Sequence, residues 1–159
     1  MEPAHCDVNE TCINFEREES VTDRLRQFLQ VGSKDWFPGE QIRRFLLPSN
    51  EFIACIFWKD DFYISGTDIL RILTARFQDF GRDIENSKKF EEGIFSELRG
   101  HRSGHNALLE EPRSPFLNLL FQYECIRTKK KQKVFQWSSV KHDELFLVSA
   151  FFDPPFSRL

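Results

Sequence analysis

Lys129, Lys130, Lys131 and Lys133 place four ammonium groups within five positions, the densest charge in the chain. Charges this close repel one another and are comfortable only in water or against a polyanion. Gln132 and Gln136 stand among them, and Arg127 lies just upstream. Lysine is a point charge suited to phosphate oxygens, whereas a guanidinium fork or a carboxamide suits the edge of a base. The set therefore points to a grip on a nucleic-acid backbone, with Arg127, Gln132 and Gln136 in reach of bases. The alternative is a solvated turn that keeps a sheet edge from sticking. Arg43-Arg44, Lys88-Lys89, and Arg99 with Arg102 add basic residues, and Arg71 and Gln78 share a helix face. A helix beside a basic wing can read a groove while holding the phosphates next to it.

Enzymatic chemistry finds little support. The seven glycines form neither a phosphate-binding loop nor a dinucleotide fingerprint. His101 and His105 are four apart, and His5, Cys6 and Cys12 lie close together, but neither cluster has the second ligand pair that structural zinc needs. Cys125 and His142 are conceivable as nucleophile and base, yet a strand cysteine and a histidine at a helix start read as packing and capping. No catalytic residue, metal or cofactor is expected.

The net charge of −3 hides an asymmetry. Residues 1–40 carry nine acidic and four basic side chains, a net of −5, while residues 41–159 carry 18 basic and 16 acidic ones, a net of +2. A weak average is thus no argument against nucleic acid. The four cysteines make no CxxC pair, and Cys55 in the apolar run Phe52–Trp58 reads as a small hydrophobe, which fits a reducing compartment. No apolar stretch approaches a membrane span, and the N-terminus lacks the order of a signal peptide.

The elements that must position these residues follow from local signals. Ser20-Val21-Thr22-Asp23 has a capping-box pattern before a helix that Gly32 ends. Two strands are expected over 43–47 and 51–58, the second buried on both faces, then a short one over 62–64. Ser65-Gly66-Thr67 caps a helix to about Phe80 with Ile69, Leu73, Phe77 and Phe80 inward. Asn86-Ser87 opens another, with Phe90, Ile94 and Leu98 inward. Residues 100–113 read as a loop. Ser114-Pro115 is a cap followed by proline at the first helical position, and the helix it opens is apolar nearly all round. Residues 123–137 read as strand, lysine turn, strand, a hairpin with a cationic tip. A last helix begins near His142.

Several ordered motifs resemble the DNA-binding region of fungal STE-like (sterile-twelve) transcription factors. They are Phe45-Leu46-Leu47-Pro48, Ile64-Ser65-Gly66-Thr67-Asp68-Ile69, Lys89-Phe90-Glu91-Glu92-Gly93 and Ser114-Pro115-Phe116-Leu117. The block from Cys125-Ile126-Arg127-Thr128 through Val134-Phe135-Gln136-Trp137 and on to His142-Asp143 belongs with them. The likeness spans about residues 21–147. It implies a nuclear protein that binds double-stranded DNA at pheromone-response-type promoter elements and serves mating and filamentous growth. Other transcription factors and MAP-kinase pathway regulators are the further partners it implies. The family has been called homeodomain-like, yet the Trp-Phe-x-Asn-x-Arg core of a homeodomain helix is absent here, and the expected strands oppose a three-helix fold. After Leu147 the likeness fades into Ala150-Phe151-Phe152-Asp153-Pro154-Pro155. Family members are much longer, so the chain is either the DNA-binding part alone or a short product that binds without activating.

The expectation is thus an α+β fold: one helix-rich domain over 20–148 with a small antiparallel sheet and a basic hairpin wing. It follows an acidic, poorly ordered segment over 1–19, and an apolar tail over 149–159 comes after it. Two rivals stand beside DNA binding. One is a non-enzymatic interaction module docking through Phe151, Phe152 and Phe156; the other is an RNA binder stacking bases on Phe135 or Trp137.

Overall fold

The helix starts lie where short polar side chains satisfy the free amides of a first turn. In the computed structural model, which describes residues 20–101 and 103–149, the Ser20 hydroxyl accepts from the Asp23 amide and opens α1, Val21–Val31. Ser65 does the same for Asp68 and opens α2, Gly66–Asp79. Asn86 caps α3, Ser87–Leu98, through Lys89. Ser114 caps α4, Pro115–Gln122, through Leu117, with Pro115 at the first position. The last helix, α5, is His142–Ser149.

The strands are β1, Ile42–Leu46; β2, Phe52–Trp58; β3, Asp61–Ser65; β4, Ala107–Glu110; and β5, Gln132–Gln136. They form a single antiparallel sheet in the order β1-β2-β3-β5-β4. A two-residue turn joins β2 to β3, with Lys59 and Asp60 both at positive φ. That backbone twist suits the right-handed twist of paired strands.

The sheet has helices on both faces, and unequally. On one face Ile53, Cys55, Ile64 and Phe135 meet side chains of α1, α2, α3 and α5, among them Leu25, Ile69, Phe77, Phe90 and Leu145. Phe28 of α1 meets the edge of Trp137 at 5.7 Å, whose indole donates to the Leu29 carbonyl at 3.1 Å. On the other face Ala54, Ile56, Tyr63 and Val134 are covered by α4 and the chain after it, through Phe116, Leu117, Leu120, Cys125 and Ile126. Phe116 stacks on Trp58 at 4.7 Å and meets Tyr63 edge-on at 5.6 Å.

The α+β expectation holds, and three of its details change. Residues 123–128 are not a strand: the chain leaves α4 through a left-handed Glu124, φ 64°, with Glu124 N donating to Phe121 O and Cys125 N to Leu120 O. That is a Schellman closure, made without the usual glycine. Cys125 and Ile126 are consecutive and both buried, which a strand facing one core does not allow. The supposed hairpin over 123–137 therefore does not form; β5 lies inside the sheet, paired with β3 and β4. The stretch read as a loop over 100–113 contains β4, four residues too few to signal themselves and stabilised by pairing with β5. Phe80, expected inward, is 69% exposed because α2 stops at Asp79 and leaves it as the cap residue. The acidic segment over 1–19 with His5, Cys6 and Cys12, Arg102, and the tail over 150–159 with Phe151, Phe152 and Phe156 lie outside the described residues.

Phe116 is the main wedge between α4 and the sheet. Its truncation to alanine removes both ring contacts and should cost about 3–5 kcal/mol. Urea denaturation of Phe116→Ala is expected to show that loss with a little-changed m-value.

Candidate nucleic-acid interface

The lysine segment sits on the α4 side of the sheet and is pinned by backbone. Arg113 N donates to Lys129 O at 3.0 Å, joining the segment to the residue before the α4 cap. Thr128 Oγ1 accepts from Lys130 N at 2.9 Å, and Gln132 Nε2 donates to Thr128 O and Lys130 O, both at 2.9 Å. Lys129 Nζ lies 4.9 Å above the Phe121 ring, a cation–π distance. Pro112, Arg113, Asn118, Phe121, Lys129 and Lys130 line one shallow depression. Lys131 reaches Glu111 at 3.7 Å with both side chains more than half exposed, a pairing worth little in water.

Further back, a buried knot holds the turn from which this segment leaves. Ser65 Oγ donates to Cys125 O at 2.7 Å. Arg71 Nη1 donates to Glu124 O and Phe52 O, each at 3.1 Å, and to Asp68 Oδ1 at 3.0 Å. The other Asp68 oxygen accepts from Ala54 N at 3.0 Å. Burial pushes the Asp68 carboxyl up to about 7, against the pull of the Arg71 charge.

The sequence candidates thus separate. Lys129 and Lys130 line one depression and Lys131 is exposed next to them, while Arg127, exposed and 3.8 Å from Glu51, borders the cleft beside α2 instead. Gln132 closes the lysine loop. Gln136 Nε2 donates to Asp61 Oδ2 at 2.8 Å while its carbonyl accepts from Ser139. Lys133 turns to the opposite side of the sheet, where Nζ donates to His101 O at 2.6 Å. Arg43 clamps the loop before β1, donating to Glu40, Lys34 O and Asp35 O and lying 4.8 Å over Trp36. Arg44 is exposed on β1, over Phe52 and Tyr123. Arg71 has its guanidinium in the knot. Gln78 borders a cleft of about 400 Å³ that also holds Glu51, Asp79 and Glu91. Lys88 and Lys89 are exposed at the start of α3. Arg113 and Asn118 were missed by sequence reading: Arg113 stands alone among acidic residues and prolines, and Asn118 sits in a helix that reads as wholly apolar.

Cys125 and His142 do not meet. Cys125 belongs to the α4 side of the sheet, where burial pushes its thiol up. His142 opens α5 on the other side, close to Arg76 of α2. Phe135 and Trp137 are buried, so neither ring is open to a stacked base. Among the described residues no group of three or more His, Cys, Asp or Glu is placed to hold a metal, and no helix is long and apolar enough to cross a membrane.

Residues 26–151 match the model of the STE-like transcription factor family. The chain belongs to this family. It is 60% identical over 125 residues to transcription factor MST12 of Pyricularia oryzae, covering 79% of this chain and 18% of that protein. It is 49% identical over 123 residues to protein STE12 of Saccharomyces cerevisiae, covering 77% and 18%. Transcription factor CPH1 of Candida albicans is 48% identical over 126 residues, covering 79% and 19%. The chain thus matches less than a fifth of each relative's length. No solved structure matches it. Within this STE-like domain the match takes in every strand, helices α2 to α5 and the second half of α1.

His142 carries a pH dependence whose sign is fixed. Burial, and after it the Arg76 charge, hold its imidazole down at about 4 in the folded domain, while the unfolded chain takes the proton near the ordinary 6.5. The stability this neutral ring contributes is present above 6.5 and lost as pH falls toward 4. Asp68, raised in the fold, changes in the opposite sense over 4–7, so only a mutant difference isolates the histidine. The stability gap between the wild type and His142→Gln should shift against the wild type by about 2 kcal/mol from pH 7 to 5. Urea titrations at both pH values measure it.

Proposed function

We propose that this STE-like domain binds double-stranded DNA with sequence preference and regulates transcription in the nucleus. In this reading its targets are pheromone-response-type promoter elements of mating and filamentous-growth genes. It works without catalysis or cofactor, alongside other transcription factors and under MAP-kinase pathway regulators. The observation that carries the reading is the surface where Arg113, Lys129 and Lys130 converge around a depression with no acidic lining residue. Two of the matched relatives are named transcription factors, which supports it from an independent side. Lys129, Lys130 and Lys131 hold phosphates, and Arg127 approaches the duplex beside them. Arg43, Arg71, Gln132, Lys133 and Gln136 contribute by holding the fold around this surface. Arg44, Gln78, Lys88 and Lys89 sit further off, available to flanking backbone.

Single substitutions Lys129→Ala, Lys130→Ala and Lys131→Ala should each weaken binding about equally on preferred and shuffled duplexes. Each should also flatten the slope of log affinity against log salt by about one, because each contact releases about one counterion. Fluorescence anisotropy from 50 to 200 mM salt reads both quantities. An unchanged affinity in the folded triple variant would overturn the reading.

A further inference from the structure

Resting on that DNA-binding reading, we infer that the outward face of α4 is the base-reading element, with Asn118 and Gln122 contacting base edges in the major groove.

The two carboxamides are four positions apart, so they stand on one face of the helix, and both are exposed. The opposite face of the same helix is the core: Phe116, Leu117 and Leu120 are fully buried against the sheet. This anchoring fixes the helix while leaving its other side to solvent. At eight residues α4 is about 12 Å long, the width of a major groove, which admits a helix. A carboxamide offers a donor and an acceptor side by side, the pattern that pairs with adenine N7 and N6. Between the amides stands Phe121, 43% exposed, an apolar surface of the kind that meets a thymine methyl. Asn118 Nδ2 donates to Arg113 O at 3.3 Å, which orients its amide and leaves its oxygen without a partner in the hydrogen bonds described.

Charge around this face suits a groove flanked by phosphates. The helix itself carries no acidic residue, and Arg113, Lys129 and Lys130 border it. Of the carboxylates near it, Glu110 is held by the Ser114 hydroxyl at 2.6 Å, while Glu111 before the helix and Glu124 after it are exposed. The rival faces are less suitable. Gln78 on α2 shares its cleft with Glu51, Asp79 and Glu91, and the two arginines that line it, Arg71 and Arg127, both lie against Glu51, while α3 interleaves Lys88 and Lys89 with Glu91, Glu92 and Glu97. Gln132 spends its amide nitrogen on two carbonyls and Gln136 engages both nitrogen and oxygen, whereas Asn118 makes one such bond.

The test selects duplexes from a random pool with the wild-type chain, then compares Asn118→Ala and Gln122→Ala on the selected duplex and on a shuffled one. Circular dichroism and melting check each variant; Gln122→Ala removes no intramolecular hydrogen bond described for the domain, so it tests the idea even if Asn118→Ala loosens the α4 start. The expected result is a loss of about tenfold or more on the selected duplex. Affinity for the shuffled duplex should stay within about twofold, with the salt slope unchanged. Repeating the selection with each variant should relax preference at a position or two while retaining the rest. Preference intact in both folded variants, or equal loss on both duplexes, overturns the inference while the lysine result keeps the DNA reading. A wild-type chain that selects no sequence overturns both.

Discussion

Asp68 and Arg71 form an ion pair inside the domain, with the carboxylate 1% exposed. Two charges taken out of water are costly unless each is matched and the remaining hydrogen-bonding capacity is used. Here most of it is used on backbone, and the Arg71 Nε lies 3.5 Å from the Glu51 carboxylate. The carboxylate takes the Ala54 amide of β2, and the guanidinium takes the Phe52 carbonyl of β2 and the Glu124 carbonyl after α4. With Ser65 holding the Cys125 carbonyl, the start of α2 binds the sheet on one side and the exit of α4 on the other. The turn it secures has a non-glycine residue at positive φ, a conformation that costs energy and persists only where the surroundings over-determine it. Both the position of the lysine segment and the tilt of α4 depend on that turn.

The unequal coverage of the sheet divides labour between its faces. Four helices close one side into the larger core, whereas the other side has only α4 and its trailing connection. A helix that covers a sheet face alone has no neighbour on its back, and so that back is solvent-facing by construction. Basic residues on the loops at its start and beyond its end, tied by the Arg113 to Lys129 backbone bond, then give the exposed side a positive border. A polyanion meeting this border finds rigid elements rather than loose side chains, the condition under which contact geometry carries specificity.

Counting cations along the chain overstates how many face outward. Arg43 gives its donors to a loop, Arg71 to the knot and Lys133 to the His101 carbonyl, and Arg76 pairs with Asp143 at 2.9 Å. Each lends its charge to satisfying carbonyls or carboxylates that would otherwise be stranded. The surviving exposed set is smaller: Arg113 and Lys130 border α4, while Arg44, Lys88 and Lys89 stand elsewhere on the surface.

What the sequence by itself determined was whatever rests on residues a few positions apart. Ser20, Ser65, Asn86 and Ser114 cap the helices their patterns announce, and the buried stripes Ile69-Leu73-Phe77 and Phe90-Ile94-Leu98 point inward as spaced. The lysine cluster was legible for the same reason. Tertiary structure alone decided which strands pair, because β5 gains its partners from residues 63–65 on one side and 107–110 on the other. It decided that Tyr123–Thr128 is a turn, since the left-handed Glu124 is stabilised by arginine and serine contacts more than fifty positions away. It also decided which polar groups stay outward: Gln136 and Arg71 look as available in the sequence as Asn118 does. Asp61, brought beside it by the pairing of β3 with β5, engages Gln136, and the Phe52 and Glu124 carbonyls engage Arg71, whereas the packing of α4 on the sheet leaves Asn118 exposed.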